Sequence, residues 1–316
     1  MAGFYPIPPV IEPQLLVQVP DSLKAKDVET DWRGGSGAVP DIFLEGITSV
    51  PDGSLYFVDI PFGRILKVNP ETKEIVECVQ WDGEPNGLAV RDDGKMVVAD
   101  YKRGLMLFDP KENTIKPFLP RHVLSFLRRN LESWKGLNDL VISSTGDIFF
   151  TDQGQTGMQD QTGGVWCYTA QGKLHQLISN GISPNGIVLS PDEKFLYVAM
   201  TRDNSVWRMP VLPDGTTTKA NKFFVGLGNS GPDGLTIDEE GSLFIAHPSL
   251  ACVFVVDKHG IPKARIQSSG TRPLVTNCIF GSGPNDRKRL YITNSLDGRI
   301  EYVDWHCGGG TPIRAV

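Results

Sequence analysis

A strand-turn-strand phrase occurs six times along this chain, and in five copies an Asn, Asp or Glu stands eight residues before the same turn position. The phrases contain SLYFVD, KMVVAD, DIFFTD, FLYVAM, SLFIAH and RLYITN. Each is apolar, alternately or continuously, over four to six residues and is bounded by turn residues, the signature of short buried strands. The turn residues Gly53, Gly94, Gly146, Glu193, Gly241 and Arg287 follow one another at steps of 41, 52, 47, 48 and 46. β-rich repeats of that period stack as blades, so the predicted fold is all-β, a six-bladed β-propeller. Six units consume nearly all of the 316 residues, and residues 1–316 are therefore expected to form one domain.

Another apolar run precedes each phrase (GLAV, DLVI, GIVL, GLTI, CIF) and reads as the innermost strand lining the central channel. A third follows, such as RILKV, LMLF or CVFVV. The stretch LLVQV, Leu15 to Val19, is expected to complete the last blade beside RIEYV, closing the ring and removing an exposed strand edge. Polar residues head the inner strands: Glu45, Asn86, Asn138, Asn185 and Asp233, with Asn277 assigned the same place in the sixth blade at a slightly different spacing. All inner strands start at one end of a propeller, so these side chains should converge at one mouth of the channel.

Two carboxylates among amide carbonyls, with no Cys or His at equivalent positions, form a hard-cation site. Turn chemistry accounts for each Asn-Gly or Asp-Gly singly, but not for acids confined to two blades of the set. One divalent cation is expected there, calcium first, with magnesium, manganese or zinc as alternatives. The longest step contains residues 110–137, where HVLSFLRRNLESW places Val123, Leu127, Leu131 and Trp134 at helical spacing. This segment is expected either to be a lid, with Phe126 and Trp134 over the substrate, or to pack on the rim. Arg202 and the polar loops 153–164 and 201–204 are further candidates for substrate contact. Asp59, Asp100, Asp152 and His247 stand six residues after the turns and read as strand-end caps. His247 is also a candidate proton relay.

A net charge of -6 with scattered Lys and Arg speaks against nucleic acid and anionic membrane partners. The first thirty residues lack a basic start followed by an apolar run, and no stretch reaches membrane-spanning length, so a soluble cytoplasmic chain is expected. The five cysteines are dispersed without a CxxC pair, indicating neither a disulfide framework nor a zinc cage. His306 beside Cys307 has no further ligand nearby in sequence and reads as a feature of the tail.

The runs GLNDLVISSTGDIFFTDQG, SPNGIVLSPDEKFLYVA, GPDGLTIDEEGSLFIAH and TNCIFGSGPNDRKRLYIT, with LEGIT and LYFVDIPFGRI in the first blade, resemble the SMP-30/gluconolactonase/LRE-like family over about residues 40 to 305. The resemblance implies a small-molecule substrate and a divalent metal held by Glu45, Asn185 and Asp233, with Asn138 and Asp139 at the same site. Two departures stand out. Ile47 replaces the proline of the family's first motif, and Lys135-Gly136-Leu137 precedes the Asn-Asp pair in place of an Arg or Ser-Pro, which points to a different grip on the substrate. The expected function is metal-dependent hydrolysis of a lactone, with Asp233, Asn138, Asp139 and His247 as catalytic candidates. Asn86, Arg202, Asn277, Phe126 and Trp134 are the candidates for substrate binding, and Glu45, Asn138, Asn185 and Asp233 for the metal. Alternatives are another reaction on the same scaffold (phosphoester or C–C hydrolysis, or an isomerisation) and a propeller that only binds protein partners.

Overall fold

The computed structural model describes residues 7–25, 30, 39–122, 133–226, 228–229 and 231–311. They form six four-stranded antiparallel blades whose inner strands are Leu44–Ser49, Pro85–Val90, Leu137–Ile142, Pro184–Leu189, Leu235–Ile237 and Val275–Phe280. Each inner strand packs against the next, and the sixth returns to the first. The predicted ring is thus closed. The N-terminal strand Gln14–Gln18 lies antiparallel to Arg299–Asp304 as the outermost strand of blade 6, the closure expected from the sequence. Val10–Ile11 adds a parallel fifth strand to blade 5 beside Pro262–Gln267.

Between blades the apolar faces interdigitate in six clusters. Phe57 and Tyr291 meet in the wedge of blades 6 and 1, and Trp134, Phe150 and Trp166 in that of blades 2 and 3. Five inner strands turn into their second strands through five residues, whose left-handed position is taken by Gly53, Gly94, Gly146, Glu193 and Gly241. In blade 6 the connection from Phe280 to Arg289 has eight.

The second strands end in a recurring latch. Asp59 accepts a hydrogen bond from Phe43 N (2.9 Å), Asp100 from Glu84 N (3.2 Å), Asp152 from Gly136 N (2.7 Å) and Asn294 from Leu274 N (3.0 Å). Each ties the segment entering an inner strand to its own blade, so these three carboxylates and one amide are structural caps. The residues expected to form a helical lid divide differently. Thr114–Pro120 is the outer strand of blade 2, whereas Phe126 and the segment expected to be helical lie outside the described residues. Trp134, expected over the mouth, is only 1% exposed. Its ring meets Phe150 and Trp166 edge-on at 5.3 and 6.5 Å inside the wedge, a burial that a large apolar ring gains from core packing and would forgo as a roof.

Candidate metal and substrate site

Every complete inner strand breaks its ladder at the same depth. The pairing with the second strand is interrupted between Glu45 and Thr48, Pro85 and Leu88, Leu137 and Leu140, Pro184 and Ile187, and Val275 and Asn277. In blade 5 it begins only at Leu235. An unpaired residue of this kind bends the strand and re-aims its side chain. The freed backbone groups bond sideways to the neighbouring blade: Gly234 N donates to Thr276 O (2.8 Å), Thr151 Oγ1 to Asn185 O (2.8 Å) and Thr276 Oγ1 to Leu44 O (3.0 Å).

The ladders also fix which residues are equivalent. Leu88, Leu140, Ile187, Leu235 and Cys278 face Val98, Phe150, Val198, Ile245 and Ile292, each two residues before its second strand ends. Two positions before them stand Asn86, Asn138, Asn185, Asp233 and Thr276, and the same count in blade 1, where Thr48 faces Tyr56, returns Glu45. The sixth member of the ring is therefore Thr276, not Asn277 as the spacing had suggested. The blade 6 connection is three residues longer than the others, which moves the ring position three further from Arg287. Asn277 lies one residue deeper and shares its register with Asp139. Glycine holds that register in the other four blades, where a Cβ on Gly87 would collide with Asp139 and one on Gly234 with Asn277.

Glu45, Asn138, Asp139, Asn185, Asp233 and Asn277 are all buried, while Asn86 is half-buried. Glu45 Oε2 accepts hydrogen bonds from Gly46 N (2.9 Å) and Asn277 Nδ2 (3.1 Å). Asp139 Oδ1 and Oδ2 accept from Leu140 N (2.8 Å) and Ile187 N (3.3 Å). Asn138 Nδ2 donates to Gln153 Oε1 (3.1 Å), which draws the 153–164 loop to the ring. Below these residues a cavity of about 120 Å³ runs along the axis, bordered by Asp139, Asn277 and Cys278. Arg202 is exposed on the rim, and its charge reaches Asp233. His247 occupies the latch position of blade 5; it is fully buried, and its ring meets Phe254 edge-on at 5.6 Å, between blades.

Three carboxylates thus share the mouth, one more than the first register alone supplies. Burial pushes Glu45 up to about 7, with the Asp139 charge adding to it against the hydrogen bonds from Gly46 and Asn277. Burial also raises Asp139 to about 7 despite its two backbone donors. Asp233 is held well above its usual value, first by burial and then by the charges of Glu45 and Asp139, against the Asn185 hydrogen bond and the Arg202 charge. Like charges crowded in a poorly solvated space hold protons unless a cation replaces them. Among the described residues Asn138 Oδ1 is buried and accepts no hydrogen bond, a carbonyl oxygen left for a ligand. Carboxylates, an unused amide oxygen and no nitrogen or sulfur donor in the ring fit a hard divalent cation.

The class defined by this geometry is a six-bladed propeller with an acidic, amide-rimmed channel mouth. The chain belongs to the SMP-30/gluconolactonase/LRE-like family, whose characteristic region matches residues 43–295. It is 32% identical over 232 residues to lactonase drp35 of Staphylococcus aureus strain MRSA252, covering 71% of this chain and 69% of that one. Its backbone is similar to that of regucalcin, a calcium-binding protein of Agrobacterium tumefaciens (TM-score 0.74, 20% identity, covering 98% of this chain and 99% of that one). It is also similar to a gluconolactonase of Xanthomonas campestris (TM-score 0.69, 21% identity, covering 94% and 96%). No helix among the described residues is long and apolar enough to cross a membrane.

Thr276 was missed in the sequence because position was counted from the turn rather than along the ladder. The signal was present: VTNCIF aligns with PNGLAV and PNGIVL only when Thr276 matches the asparagines.

Proposed function

We propose that this chain is a divalent-metal-dependent lactonase, a carboxylic ester hydrolase acting on a small cyclic ester. The observation that carries the reading is the mutual charge coupling of the buried Glu45, Asp139 and Asp233 in a ring that also holds the unused Asn138 Oδ1. Family membership and a relative named as a lactonase support it. Glu45, Asn138, Asn185 and Asp233 would hold the cation, which when bound supplies Lewis-acid polarisation of the ester carbonyl. Calcium is the proposed occupant, on the oxygen-only donor set and the likeness to regucalcin, with magnesium, manganese and zinc as the alternatives to be tested.

Asp233 takes the proton of the attacking water. Asp139 is less suited to that step because both its oxygens already accept backbone N–H bonds; it keeps negative charge beneath the ring and fixes the Ile187 backbone. Asn277 steadies Glu45 through their hydrogen bond. Asn86, half-buried, and Arg202, exposed on the rim, would bind substrate hydroxyls and the carboxylate released on ring opening. His247, enclosed between blades, holds its blade together and has no place in the proton path. A panel of aldonolactones and aromatic lactones, assayed with chelator-stripped protein and then with calcium, magnesium, manganese or zinc restored, tests the proposal. Turnover that resists chelation would refute the metal's part in it, and no turnover on any lactone would refute the substrate class.

A further inference from the structure

The tail pair His306 and Cys307, without ligands nearby in the sequence, acquires two in space. After Arg299–Asp304 the chain crosses the far end of blade 5, opposite the acidic mouth. Glu239 N donates to Gly308 O (2.9 Å), Gly310 N to Ile237 O (2.8 Å) and Gly308 N to Glu239 Oε1 (3.2 Å). This strap brings His306 and Cys307 to the turn after Leu235–Ile237, which carries Asp238 and Glu240. One ligand atom from each of the four lies within 4.8 Å of all the others.

We propose that Asp238, Glu240, His306 and Cys307 form a second cation site of the zinc class, distinct from the hard-cation mouth. The donors are two carboxylates, an imidazole and a thiol, a set matched to zinc or cobalt rather than to calcium. Around tetrahedral zinc, bonds of about 2.0–2.3 Å put donors roughly 3.3–3.8 Å apart, so the group must contract by about an ångström. Its exposed half can do so: His306 and Glu240 side chains are 51% and 53% accessible. Its buried half is already fixed. Asp238 is fully buried, and its Oδ1 accepts Glu240 N (3.1 Å) and Ser242 N (2.7 Å) while Oδ2 accepts Trp305 Nε1 (3.2 Å). Such outer hydrogen bonds orient a metal-binding carboxylate. Cys307 is a buried free thiol, and the His306 ring leans on Trp305 at 5.0 Å. In the metal-free protein Glu240 is served instead by His306 Nε2 (3.1 Å) and Lys263 Nζ (3.5 Å). A cation entering the group displaces Lys263 and staples the C-terminal strap to blade 5. Asp233 and Asp238 are five residues apart along one extended segment, roughly 17 Å, so the two sites are separate.

Cobalt(II) titration of the intact chain, followed by absorbance, tests this directly, because thiolate ligation to cobalt gives a strong near-ultraviolet charge-transfer band. The band should saturate at one equivalent, persist in Asp233→Asn, vanish in Cys307→Ser and require at least about tenfold more cobalt in His306→Ala. His306 is half exposed, so that variant keeps its fold even if Cys307→Ser does not. A titration without the band, a band that survives Cys307→Ser, or unchanged cobalt affinity in His306→Ala would overturn the proposal, the last leaving a plain His306–Glu240 ion pair. Loss of the band in Asp233→Asn would assign it to the mouth instead. None of these readings depends on lactone turnover.

Discussion

Glu45→Gln should stabilise the metal-free protein and destabilise the metal-loaded one. In the folded chain without metal, Glu45 titrates near 7 against an ordinary value of 4.5. Below about pH 4 both folded and unfolded chains hold the proton, and the group contributes no difference. As pH rises from 4.5 to 7 the unfolded chain ionises first, so the folded state loses stability through that window, and above it the loss is complete. A span of about 2.5 pH units at about 1.4 kcal/mol each amounts to about 3–4 kcal/mol. Glutamine cannot ionise but keeps a carbonyl oxygen for Gly46 N and Asn277 Nδ2, so it removes the penalty without leaving those donors unpaired. Urea unfolding followed by tryptophan fluorescence in chelator should show variant and wild type matched near about pH 4 and the variant more stable by about 3–4 kcal/mol near about pH 8.5. With saturating calcium the order should reverse, because the wild type alone gains the binding energy of a charged ligand. A variant less stable than wild type in chelator at high pH would refute the crowded-carboxylate account.

Asp233→Asn should lose lactone turnover and most calcium binding with an unchanged β-type circular dichroism spectrum; calcium binding equal to wild type would move the mouth site elsewhere. Trp134→Ala should cost about 3–5 kcal/mol of stability, read as a fall in melting temperature. Its ratio of kcat/KM between bulky and small lactones should stay the same, since the ring fills a wedge and does not touch the mouth. Single turnover in oxygen-18 water should place the label in the product acid, whereas label retained in Asp233 would show direct attack by the carboxylate.

Blade number and the path of the N-terminal strand were legible because both are written locally, in period-two apolar runs and in turn residues that need a left-handed backbone. The one misplaced ring residue shows where local reading fails. Eight residues before the turn is a valid measure only while every connection has the same length, and blade 6 lengthens its own. Trp134 failed for another reason. Helical spacing over Val123 to Trp134 described a face, but a large apolar side chain next to an inner strand is drawn into the nearest interblade wedge whatever precedes it. The tail pair was unreadable in principle, since Asp238 and Glu240 lie more than sixty residues from His306 in sequence and meet it only after the ring closes.

A sixfold repeat left to itself would line its channel with six equivalent groups, and an evenly acidic or evenly neutral ring would have no preferred direction for a substrate. The chain breaks this symmetry twice. In the first register carboxylates appear only at Glu45 and Asp233, on either side of the Thr276 blade. In the second, side chains appear only at Asp139 and Asn277, and each is accommodated by glycine in the preceding blade, Gly87 and Gly234. Asn277 steadies Glu45 by a hydrogen bond, whereas Asp139 presses on Glu45 and Asp233 by charge. The three carboxylates therefore stand on alternate blades, the first, third and fifth, with Asn86, Asn185 and Thr276 between them, and they differ in depth: Glu45 and Asp233 lie in the first register and Asp139 one residue deeper. In the proposed lactonase this difference in depth, rather than a difference between flanks, would set the height at which an ester carbonyl meets the strongest polarity.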